Sequence, residues 1–173
     1  MKRLGIAITA MAGLLATATV ARGETLGATL TGYEESPSVS TVANGDFSAR
    51  IDEGGDHFHY TLSYSGLQGT VSQSHIHVAQ PGVNGSIIIW LCQTSTNTDP
   101  TGLAPQCPQE GTVSGRITAA NVIAGSTTTQ QLNAGDFAGA VAAMRAGFAY
   151  ANVHTLPLSP GGEIRGQIRV IGK

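Results

Sequence analysis

Beyond the first two dozen residues, apolar side chains recur at every second position, and glycines and other turn formers punctuate the segments. In LGATL, Leu26, Ala28 and Leu30 share a face; in GDFSARID, Phe47, Ala49 and Ile51 lie opposite Asp46, Ser48 and Arg50. HFHYTLSY puts Phe58, Tyr60, Leu62 and Tyr64 on one side and His57, His59, Thr61 and Ser63 on the other. TVSGRIT (112–118) and GEIRGQIRVI (162–171) alternate too, the second with Ile164, Ile168 and Val170 inward and Glu163, Arg165, Gln167 and Arg169 outward. A period of two is the signature of a half-buried strand. SIIIWLC (86–92) is apolar throughout and predicts a strand buried on both faces.

One segment has a different period. DFAGAVAAMRAG (136–147) is Ala-rich, spaces Phe137, Val141 and Met144 as a helix does, and ends on a glycine suited to a helix C-terminus. It predicts one short helix near 136–146. About eight strands with a single helix predict an all-β antiparallel sandwich or barrel. The Thr-, Asn- and Gln-rich stretches 93–109 and 119–134 are expected to be surface loops.

The first residues change the expected compartment. MKRLGIAITAMAGLLATATVARGETL opens with Lys2 and Arg3, continues as an Ala-rich apolar run and ends in small residues, the pattern of a cleaved signal peptide. The run is interrupted by Gly5, Thr9, Gly13, Thr17 and Thr19 and falls short of the roughly 20 apolar residues of a membrane span. Cleavage is expected to remove residues 1–23 and leave one secreted or periplasmic domain, with no span remaining. The nine Lys and Arg then fall to six against eleven Asp and Glu, a formal charge of −5. No basic run remains to neutralise phosphates, which excludes nucleic acid as the expected partner.

Export also bears on Cys92 and Cys107, which flank a loop of turn-forming and polar residues. An oxidising compartment favours a disulfide over a pair of metal thiolates, because the chain has two cysteines and no CxxC spacing. Closing a loop of about 15 residues contributes about 3 kcal/mol in the chain-entropy account.

The candidate chemistry lies in SHIHVAQPGVNG. His75 and His77 point to one side of a strand, with Ile76 and Val78 on the other, and two convergent imidazoles on a sheet are the usual start of a copper or zinc site. His154, in GFAYANVHT, shares a face with Phe148, Tyr150 and Asn152 and is the third candidate ligand. His57 and His59 oppose an apolar face and are expected to be solvated. Glu163 and Arg165 are candidates to orient a histidine from behind, or to form an ion pair across neighbouring strands. Trp90 and Tyr150 read as core or rim aromatics. There is no GxSxG elbow, no paired-carboxylate pattern and no helix after Gly82, Asn84 and Gly85 that would make a phosphate loop.

The order LSYSGL, SHIHVAQPGVNGSIIIWL, DFAGAVAAMRAGFAYANVHT and GGEIRGQI resembles the CHRD domain, named for chordin, in the single-domain form found in secreted bacterial proteins. The resemblance runs from about residue 25 to 171. It implies an immunoglobulin-like β-barrel and places His75, His77 and His154 at positions typical of the domain; the HFH pair lies outside that pattern. In animal chordin the domain belongs to an extracellular antagonist of growth-factor signalling. HIH before a Gly- and Asn-containing turn also looks like the HVH copper-ligand segment of copper/zinc superoxide dismutase, which needs a bridging histidine, an additional histidine and a zinc-binding loop besides.

The expected function is therefore binding rather than catalysis: a secreted CHRD-type domain holding one copper or zinc ion through His75, His77 and His154. The neutral rings are expected to lose metal as pH falls through their ordinary range near 6.5. Two alternatives stay open. One is a copper-dependent, dismutase-like redox enzyme; the other is a metal-free module that binds an extracellular or periplasmic protein.

Overall fold

The computed structural model describes residues 23–126 and 128–173; the expected signal peptide lies outside the described residues apart from Gly23. Nine strands form one sheet: β1 (Thr25–Thr31), β2 (Asn44–Ile51), β3 (His57–Ser65), β4 (Thr70–Val78), β5 (Ser86–Cys92), β6 (Gly111–Thr118), β7 (Ala149–Leu156), β8 (Ser159–Gln167) and β9 (Arg169–Gly172). The strand order is β5-β4-β7-β8-β1-β2-β3-β6, with β9 beside β1, and all named pairs are antiparallel. The sheet curls into a nearly closed barrel, so the expected all-β antiparallel class is the observed one.

The alternating segments become strands because each puts its apolar set inside. β2 reads exposed and buried in strict turn, with Phe47, Ala49 and Ile51 in the core. The all-apolar β5 is buried along its length apart from half-buried Ile87, as a strand covered on both faces must be. Val122 of the following region forms a bridge to Ile89, so the stretch 119–134 is tied to the barrel rather than lying free on its surface.

The helix α1 (Phe137–Ala146) starts where the Asp136 carboxylate accepts the Gly139 N–H at 2.8 Å. It stops at Gly147, whose φ of 77° ends the helix in the left-handed conformation. Its buried stripe of Phe137, Ala140, Val141 and Met144 packs on the core, with Phe137 5.8 Å from Phe58 between ring centroids.

Two expectations need correction. GEIRGQIRVI is not one strand: β8 follows β7, whereas β9 crosses to β1, and the chain switches partner at Ile168, which stays buried and donates its N–H to the Ala149 carbonyl at 2.9 Å. The loop 93–109 is not wholly surface. Cys92 and Cys107 form the expected disulfide, and the buried Asp99 carboxylate accepts hydrogen bonds from the N–H groups of Thr101, Leu103 and Ala104 and from the Thr101 hydroxyl.

Candidate metal centre

Strand register builds the site. Trp90 of β5, His75 of β4, Asn152 of β7 and Arg165 of β8 are successive cross-strand partners, and the next row is Ile87, His77, Tyr150 and Gln167. Cross-strand partners project to the same side of a sheet, and here that is the side away from Ile76, Ala151 and Ile164. A sheet's outward face is ordinarily wet, yet His75 is 0 % and Arg165 1 % exposed. Loops roof the face: the segment after β1 carries Glu35 and Ser36, and Asn84 of the β4–β5 turn donates to the Ser36 carbonyl at 2.9 Å.

Under that roof His75, His77 and His154 converge, each offering a nitrogen within 4.8 Å of the others. Backbone carbonyls orient two of the rings. His77 Nδ1 donates to Gly85 O and His154 Nδ1 to Pro160 O, each at 2.9 Å. A carbonyl can only accept, so both Nδ1 atoms carry the proton, and each neutral ring keeps its lone pair on Nε2. Neither Nε2 has a protein partner, nor has either nitrogen of His75. Gly85 is required here because a Cβ would collide with the Val78 carbonyl.

The walls are aromatic and polar. The Trp90 ring meets His75 edge-on at 4.3 Å, and Tyr150 stacks on His77 at 4.6 Å with the rings 4° from parallel. The Arg165 guanidinium lies 3.3 Å from the centroid of the Tyr150 ring and donates to Val83 O at 2.9 Å, Asn84 Oδ1 at 3.3 Å and Gln80 O at 3.4 Å. Trp90 and Tyr150, read from sequence as ordinary core or rim aromatics, are the side walls of the histidine cluster.

Burial dominates the electrostatics. It holds the His75 ring well below its usual range, with His154 and His77 adding to the effect; it lowers His154; and it takes His77 down to about 4 despite the Gly85 hydrogen bond. The folded rings therefore stay neutral below the ordinary histidine range near 6.5. Glu35 is a buried carboxyl whose position gave no sequence signal. Burial pushes it up to about 7 against the pull of Arg165, and Asn152 lies beside both it and His77. Gly162, at a φ of 128°, leaves the space Glu35 occupies.

Glu163 and Arg165 share the roofed face without forming the ion pair that was one expectation for them. Glu163 accepts from Thr41 at 2.8 Å, Thr155 at 2.6 Å and the Gln68 and Gly69 N–H groups, while Arg165 reaches the β4–β5 turn on the other side. Neither hydrogen-bonds an imidazole; the Arg165 charge helps to lower His77, and Tyr150 stacks against both side chains. His57 and His59 stand on β3, outside this cluster. His57 and the exposed Asp52 and Asp56 also bring ligand atoms within 4.8 Å of one another, but His57 Nδ1 is already bonded to Asp56 at 2.6 Å. The five histidines thus leave the triad without the bridging and additional histidines of a dismutase-type pair of metals.

A nearly closed antiparallel barrel with a roofed, histidine-lined patch on its outward face is the class of domain defined so far. The chain belongs to the CHRD domain family, whose pattern it matches over residues 26–168. No curated protein and no solved structure gave a significant match. The family and the disulfide are consistent with an extracellular location, and no helix among the described residues is long and apolar enough to cross a membrane.

Proposed function

We propose that this CHRD domain is exported, loses residues 1–23 and binds one copper or zinc ion through His75, His77 and His154. The observation that carries the reading is the set of four buried imidazole nitrogens with no hydrogen-bond partner, in three rings that face one another. Leaving a buried polar atom unpaired costs about 1–3 kcal/mol, and a metal ion satisfies one lone pair on each ring at once. Ligand atoms at about 2.0–2.1 Å from a metal sit about 3.3 Å apart in tetrahedral geometry, so small ring rotations close the cluster. The carbonyls of Gly85 and Pro160 do what outer partners do in histidine sites: they fix the tautomer and aim Nε2 inward. A bound ion would supply Lewis acidity and, if copper, one-electron chemistry. The chain's own contribution is three neutral donors held in a buried cluster.

The test is metal content by inductively coupled plasma mass spectrometry on protein purified without chelator, beside the His75→Ala/His77→Ala double variant. One copper or zinc per chain in the parent and none in a folded variant is the expected result. Absence of metal from both after reconstitution would make the triad structural and turn attention to a protein partner.

A further inference from the structure

Resting on the metal-site reading above, the charge inventory around the triad narrows the ion. All six imidazole nitrogens are accounted for: two donate to uncharged backbone carbonyls and four are unpartnered. No thiolate or carboxylate is among the converging atoms, and no carboxylate accepts from a ligand ring, which is the common way a histidine site shares out a metal's charge. Neither buried carboxyl of this face compensates at the rings. Glu163 is taken up by Thr41, Thr155 and two backbone N–H groups, and Glu35, whose Oε1 is buried without a hydrogen-bond partner, is set against Arg165, so that the two together leave no net anion beside the rings. The stack that leads from His77 through Tyr150 ends instead in a buried cation, Arg165.

We infer that the site is built for monovalent copper, Cu(I), held by three neutral imidazoles, and that it discriminates against Zn(II) and other divalent ions. The cost of burying an ion rises as the square of its charge, so a divalent ion pays about four times what a monovalent one does unless an anion accompanies it. Here the ligands, their hydrogen-bond acceptors and the stacked cation provide none. The imidazole is a ligand that copper accepts as readily as zinc does, so donor type permits both ions and charge makes the choice. Three donors also complete a Cu(I) shell, whereas Zn(II) asks for a fourth. A groove of about 430 Å³ lies beside His77 and Trp90, with the apolar side chains of Ile87, Pro100, Ile123 and Ala124 among its walls and no carboxylate or thiolate among its lining residues to serve as an anionic fourth ligand.

The experiment is a pair of competition titrations on the intact protein, Cu(I) under nitrogen against a Cu(I)-specific chromophoric chelator and Zn(II) against a zinc indicator. Ascorbate serves as reductant so that the Cys92–Cys107 disulfide is left alone. We expect Cu(I) at one per chain, bound at least about 100-fold more tightly than Zn(II), a gap of about 2.7 kcal/mol. X-ray absorption on the Cu(I) form should show a shell of three nitrogens, a readout that needs no variant to fold. Equal or tighter Zn(II) binding that is lost in His77→Ala would overturn the Cu(I) assignment and leave the metal-site reading standing. Failure of both ions to bind would overturn the two together.

Discussion

His57 and His59 on β3 and His75 and His77 on β4 share their spacing, their strand geometry and nearly their ring separation, 5.3 against 5.4 Å between centroids, both edge-on. Their surroundings differ. The β3 pair opposes core residues Phe58 and Tyr60 on an unroofed face, where half-buried His57 bonds Asp56 and exposed His59 lies between Arg50 and Arg116 of the neighbouring strands. The β4 pair opposes Ile76 in the same way, but its outward face is covered by the turns at Glu35, Asn84 and Pro160. An i, i+2 pair of histidines therefore becomes a candidate site when something roofs it, buries both rings and leaves their lone pairs without protein partners.

The sharpest way to break that contrast is to remove each pair in turn. His57→Ala/His59→Ala should retain full metal stoichiometry, and His75→Ala/His77→Ala should lose it, measured by mass spectrometry on dialysed samples. Loss in the His57→Ala/His59→Ala variant with full retention in the other would assign uptake to the exposed Asp52, Asp56 and His57 cluster.

Acid is the next largest lever, and its sign follows from burial. An unfolded histidine takes up a proton near pH 6.5, whereas folded His77 resists until about 4. Between those values the unfolded histidines bind more protons, so their contribution to the stability of metal-free protein is full above 6.5 and falls as pH falls toward 4. His77 alone contributes about 3 kcal/mol of that loss, and His75 and His154, shifted the same way, add to it, while Glu35, raised to about 7, gains stability over the same interval and offsets about one of the three rings. Urea unfolding in a chelator, followed by circular dichroism from pH 7 to 4.5, should show the decline. A flat profile in the parent would mean that the roof admits water to the rings.

His75 offers a third test, in which function and stability move in opposite directions. Both its nitrogens are buried and unpartnered, so His75→Leu, which keeps most of the volume, should abolish metal uptake yet raise the stability of the metal-free protein by about 1 kcal/mol at pH 7. The gain should grow at lower pH, because the substitution removes one of the protons the unfolded chain takes up. A destabilised His75→Leu protein at pH 7 would show that the ring's contacts with Trp90 outweigh its orphaned nitrogens.

How much of this could be read along the chain depends on whether the information is local. Phe47, Ala49 and Ile51 announce β2 because period-two alternation and burial of one face are the same fact seen in one and three dimensions. The helix is legible for the same reason: Phe137, Val141 and Met144 make a stripe, and Gly147 ends it. His75 and His77 sit two residues apart, so their common face is also local. What joins them to His154 is the strand order β5-β4-β7-β8 and a bulge in β7 between Val153 and Thr155, neither of which leaves a mark in spacing. Glu35 reaches the cluster only because a loop folds over the outward face, and that roof also moves the histidines away from their ordinary pKa. The three histidines that converge could thus be named from sequence, while their charge environment had to wait for the fold.

The smallest expected effect sharpens the comparison from its exposed side. His59 projects into water from the middle of β3, its edge-on contact with His57 is open to solvent, and Arg50 and Arg116 flank it in register. An exposed ring with no fixed acceptor has little to lose, so His59→Ala should change unfolding free energy by less than about 0.5 kcal/mol. The change is read from urea midpoints at pH 7.5. A loss above about 1 kcal/mol would mean that β3 also presents a structured polar face, and the roof over β4 would no longer be what separates the two pairs.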